Sequence, residues 1–235
     1  MKALVLFTND LRVHDNETLL QAIQEADEIL CAYALEHPQD PFLLESLRDL
    51  QATLKDLGAT LLVEENTPEA LTNKICEEHD IEVIYTQENP NLPLLPKPTK
   101  TYPTRTLYNP QDLPIQAENK ESFLRLTQNL YPPMAYAKPT KINGVRTETK
   151  PLPEKPREEQ AGGESAAQEL LEELLSAGGD ATKLDKHLAY GTISARTVFY
   201  KSLDEEQHTN KNYSVLRYAL REKDYELHQT NTAKQ

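Results

Sequence analysis

Tryptophan is absent from all 235 residues, and glycine and cysteine are scarce, at seven and two. No glycine occurs in 1–57. The first βα turn therefore has neither a P-loop nor the Gly-rich fingerprint of dinucleotide sites. Cys31 and Cys76 lack metal-ligand spacing and lie in apolar stretches. Buried free thiols in a reducing cytoplasm are expected rather than a disulfide, and no metal site is expected. No run of eighteen apolar residues exists, so no membrane-spanning helix is expected. The opening MKALVLFTND turns polar too soon for a secretory signal. Positive charge is short as well. Residues 1–130 carry 10 Lys and Arg against 22 Asp and Glu, and the whole chain stands at −13. Such a surface repels duplex DNA, so DNA is not an expected partner.

The first ninety residues alternate in type. Apolar runs at Ala3–Phe7, Glu28–Leu35, Ala59–Glu64 and Ile81–Thr86 read as buried strands. Between them lie helical patterns: Asn16 caps one to about Glu25, Pro41 opens one that Gly58 closes, and Thr67-Pro68 starts one to about His79. This alternation predicts an α/β fold with a Rossmann-like, doubly wound parallel sheet. A further strand is expected at Thr101–Tyr108 and a helix at Glu118–Tyr131. Thirteen of the sixteen prolines fall between Pro90 and Pro156. Residues 132–161 read as an extended Pro-rich linker, and 162–235 as a small all-helical tail with helices near 163–176, 183–190, 194–203 and 210–228. The expected domains are thus 1–131, the linker, and 162–235.

The stretch LFTNDLRVHDN (6–16) follows the first strand and is dense in hydrogen-bonding groups. Ligands of open parallel sheets sit beyond such strand ends. The same groups can also tie the loop together: Asp10 can pair with Arg12, while Asp15 and Asn16 can bond backbone amides. Structural joint, ligand cradle and catalytic loop all remain open on the residues alone, with no catalytic residue singled out.

This stretch resembles the amino-terminal signature of the DNA photolyase/cryptochrome family. GGESAAQELLEELL (162–175) and TKLDKHLAYGTISARTVF (182–199) are similar to the entry and flavin-phosphate segments of that family's helical domain. YALREKDYE (218–226) is a weaker match, and FLRLTQNLYPP (123–133) resembles DASH-type cryptochromes. The resemblance implies an antenna domain, a connector and the beginning of a helical FAD domain. Family members are much longer, and the half that surrounds the flavin ring and carries the tryptophan electron chain has no counterpart here.

By that resemblance Thr182, Lys183 and Leu184 correspond to flavin-phosphate residues, with Asp185 and Lys186 departing from the pattern. Phe7, Asn9, Asp10 and Glu36 correspond to an antenna cleft for a folate or deazaflavin, although Thr8 replaces an arginine. Asp10, Arg12, His14, Asp15 and Asn16 are expected to tie the sheet to the helical tail, with Arg196 pairing with Asp10 or Asp15. The helices carry an apolar stripe, including Leu171, Leu174, Val198 and Phe199. That stripe packs on the sheet domain or binds a protein partner, a second copy included. Three functions remain open: a reduced relative without photorepair of its own, a light-dependent flavoprotein completed by a partner or dimer, and a non-enzymatic interaction module.

Overall fold

The computed structural model describes residues 1–235 except 37, 39, 114–118, 155–159, 178, 179 and 233–235. Five parallel strands form one sheet in the order β3-β2-β1-β4-β5. They are β1 (Lys2–Phe7), β2 (Glu28–Ala34), β3 (Leu61–Glu64), β4 (Val83–Gln87) and β5 (Thr99–Tyr102). The alternation of β1 sets its two faces. Ala3, Val5 and Phe7 join a core under α1 (Glu17–Glu25) and α2 (Pro41–Leu57). Leu4 and Leu6 join another under α3 (Pro68–His79). Both faces are covered around β1, β2 and β4, which is why these strands read as continuous apolar runs.

Local chemistry sets the helix ends. Asn16 accepts from Leu19 N, Asp40 from Phe42 N and Leu43 N, and Thr67 from Ala70 N. Gly58 closes α2 at φ 96°, a left-handed geometry that suits glycine. Cys31 and Cys76 are buried and free. Burial pushes the Cys31 thiol up to about 12.

A third core lies in the helical part. It gathers α5 (Glu164–Ala177), α6 (Leu184–Tyr190), α7 (Ala195–His208) and α8 (Ser214–Thr232) around Leu171, Leu174, Val198, Phe199 and Leu220. Leu107, Tyr108 and Phe123 belong to this core too. That explains two departures from expectation. The fifth strand ends at Tyr102 because Leu107 and Tyr108 turn away and give their amides to the Asp224 carboxylate of α8. The helix expected from Glu118 is the shorter α4 (Lys120–Thr127), capped by Asn119 on Ser122 N; Glu118 itself lies outside the described residues.

The Pro-rich segment is bonded along its course. Ile142 N donates to Leu57 O, and Ile29 exchanges bonds with Asn143 O and Val145 N beside the start of β2, where β3 does not reach. Gly144 is required here, since a Cβ would stand 2.4 Å from Ala59 Cα.

Candidate functional site

β1 and β4 are neighbours, so chain order reverses between them. This is the switch point at which open parallel sheets form crevices beyond their carboxyl ends. Residues 8–16 fill that crevice, and the helical tail lies on top of them.

Arg12 is 1% exposed. Its guanidinium donates to four backbone carbonyls: His14 O (3.1 Å), Gly191 O (2.9 Å), Asp15 O (2.9 Å) and Thr104 O (2.7 Å). One side chain thus joins the loop, the end of β5 and the helical tail. The expected Asp10–Arg12 contact pair is replaced by these carbonyls. Asp10 is fully buried and accepts from Thr8 N (2.9 Å) and Asn16 Nδ2 (3.4 Å). Burial raises the Asp10 pKa and lowers that of Arg12.

Asp15 and Arg196 stand together, with Nε 3.0 Å from Oδ2, and their side chains are 0% and 6% exposed. Asp15 also exchanges two bonds with the Tyr136 backbone, tying in the Pro-rich segment. Glu164, in the first turn of α5, accepts from Val13 N (2.8 Å) and His14 N (3.0 Å) and stands 2.8 Å from His14 Nδ1. Gly191 closes α6 at φ 68°, and a Cβ there would lie 1.9 Å from Asn9 O. Glu164 was not singled out from sequence, yet its signal was there: an acidic first turn directly after Gly162-Gly163.

A cavity of about 230 Å³ remains between the sheet and the tail, lined in part by Arg12, Thr104, Arg105, Gly191, Leu220 and Asp224.

A family model described as DNA photolyase matches residues 3–93. Cryptochrome DASH of Gloeobacter violaceus is 30% identical over 143 residues, which covers 49% of this chain and 29% of the relative. Cryptochrome DASH of Xenopus laevis is 31% identical over 144 residues, covering 47% and 27%. The crystal structure of a Synechocystis cryptochrome superposes with a TM-score of 0.80 at 21% identity, over 95% of this chain and 60% of that one. Residues 3–93 thus resemble the photolyase/cryptochrome family, and the chain as a whole has the fold of this solved structure. A class III photolyase from Agrobacterium tumefaciens has the same fold, with a TM-score of 0.75 at 18% identity, over 98% of this chain and 58% of that one. The chain therefore spans under a third of these curated relatives and about three-fifths of these solved neighbours.

The positions that the resemblance makes flavin-phosphate residues already have partners within the protein, an arrangement that does not suit a phosphate. Asp180 Oδ1 already accepts from Thr182 N (2.9 Å) and Thr182 Oγ1 (2.7 Å), and these bonds hold its carboxyl below the usual range. The Lys183 carbonyl accepts from Gln160 Nε2 (2.6 Å), and Leu184 is 1% exposed in the helical core. Asp185 pairs with Lys223 at 3.1 Å. The adjoining cavity, about 530 Å³, sets Glu169 and Glu173 against Lys183.

The four antenna positions line none of these cavities. Phe7 is in the sheet core, Asn9 Nδ2 donates to Ala189 O (3.2 Å), Asp10 is buried in the joint and Glu36 is exposed. Asp10 and Glu36 do share a neighbour. The Tyr33 phenol is pushed up to about 12, first by burial and then by Glu36, Asp10 and Asp40.

Proposed function

We propose that this photolyase/cryptochrome relative does not perform photorepair by itself. Its polar loop serves as a joint, and the protein acts as a binding or regulatory module. One observation carries the reading: the donors that would grip a flavin phosphate, Thr182 N and Oγ1, are taken by the protein's own Asp180. Introducing a phosphate there means displacing one anion with another, beside the further carboxylate of Asp185. The chain has no tryptophan, so a tryptophan relay cannot run within it. The carboxyl groups of Glu36, Asp10 and Asp40, which act through space on Tyr33, likewise disfavour an anionic folate or deazaflavin nearby. The acidic balance of the sheet part weighs against DNA, and the buried free cysteines suit the cytoplasm.

The test is direct. The purified chain is incubated with an oligonucleotide carrying a cyclobutane thymine dimer under blue light, and its visible spectrum is recorded. The reading predicts no dimer splitting and no stoichiometric flavin bands. Light-dependent splitting by the flavin-loaded chain alone overturns it.

A second reading rests on a groove of about 820 Å³ between α4, α7 and α8. Around it Tyr131, Val215 and Tyr218 are 69%, 80% and 49% exposed. In this reading a second copy covers the groove and completes a light-dependent flavoprotein. Light scattering decides it: a dimer that takes up FAD supports the second reading, and a monomer at working concentration removes it.

A further inference from the structure

Thr104 and Arg105 lie just beyond β5, at the carboxyl edge of the sheet and beneath the helical tail. Thr104 is fully buried; its carbonyl accepts from Arg12, but among the described residues its hydroxyl has no hydrogen-bond partner. Arg105 is half-buried between the 230 Å³ cavity and a second of about 80 Å³ lined by Gln87, Glu88 and Thr106 among others. Among the described residues its guanidinium makes no hydrogen bond and no ion pair within 4.0 Å. Asp10 attracts it and Arg12 repels it only through space.

The other charged groups of the larger cavity are committed. Arg12 serves four carbonyls. Asp185 and Lys223 pair with each other. Asp224 holds Leu107 N and Tyr108 N and stands 3.2 Å from His228. Glu226 lies 4.0 Å from Lys120. Among the described residues that leaves one cation and one hydroxyl, adjacent in sequence and lining one cavity, with unmet hydrogen-bonding capacity. A half-buried guanidinium with no acceptor is costly, and an oxyanion supplies what it lacks.

We propose that Arg105 and Thr104 bind a small oxyanion, a phosphate or carboxylate group, in the cavity between sheet and helical tail. The volume of about 230 Å³ is below that of sites for drug-sized ligands, so the cavity takes a group of a few heavy atoms rather than a folate or flavin. The bound anion touches both parts of the molecule and strengthens their docking. This inference does not depend on whether the chain takes up flavin elsewhere.

The full chain is melted in chloride and in 20 mM inorganic phosphate or succinate at matched ionic strength, beside Arg105→Gln and Thr104→Val. A millimolar site raises the wild-type melting temperature by roughly 4–7 °C in at least one of the two anions. Arg105→Gln loses no hydrogen bond or ion pair, so it melts within about 2 °C of wild type in chloride. It shows only the general salting effect in the active anion. Calorimetry shows its affinity down at least tenfold, and that of Thr104→Val down severalfold. No shift with either anion, or equal shifts in wild type and Arg105→Gln, overturns the proposal. If Arg105→Gln fails to fold, Thr104→Val decides alone: undiminished affinity in that variant overturns it.

Discussion

The helical tail has two faces, and they differ in how their polar groups are placed. Toward the sheet, Arg12, Asp15, Glu164 and Arg196 are buried and bonded across the boundary. Away from it, Val215 and Tyr218 stand in solvent beside a wide groove. The loop after β1 therefore earns its many polar groups by joining two bodies of structure. Buried polar groups without partners are expensive, so the density of the loop matches the number of carbonyls and amides that the docked helices bring to it.

This contrast can be broken from the inner face outward. Arg12→Ala has the largest expected effect. It removes the donor from four buried carbonyls and costs about 4 kcal/mol, or roughly 10 °C in melting temperature. A melting curve unchanged from wild type would show that the joint does not depend on it. Arg196→Ala follows, at about 3 kcal/mol, because Asp15 is left charged and buried. Its cost stays at the low end since Arg196 Nη2 already lacks a partner. Chemical denaturation of the variant checks this, and no shift in midpoint removes the pair from the account.

Acid gives a smaller effect. Burial, and then Lys186, lower the His187 pKa to about 4, against an ordinary value near 6.5 in the unfolded chain. Between those values the unfolded chain binds the proton and the folded chain does not. The stability contribution is therefore complete above about pH 6.5 and is lost as pH falls toward 4, by about 2 kcal/mol. Melts across that window should show the loss in wild type, and His187→Gln should flatten it. The outer face closes the series: Val215→Ser is expected to move stability by less than about 0.5 kcal/mol. A larger loss would mean that the face is already covered.

The centre of the sheet was legible because β1, β2 and β4 are buried on both faces and the helix caps are local. The pairing of Asp15 with Arg196 was within reach of the loop's composition and the family resemblance. Other features were not. Leu107 and Tyr108 look like strand residues, yet their place is set by Asp224, more than a hundred residues later. Arg12 was expected to pair with Asp10, since charge is what a sequence displays; its carbonyl partners appear only once the tail is docked. Arg105 gave no signal at all, because what marks it is the absence, among the described residues, of a partner in three dimensions.

The central proposal is that this chain, folded and docked through its joint, does not hold a flavin by itself. An equilibrium titration of FAD with the purified monomer, followed by flavin fluorescence, tests it most directly. The account predicts no saturable change at micromolar protein. A saturating one-to-one isotherm that is weakened by substitution at Thr182 would contradict it.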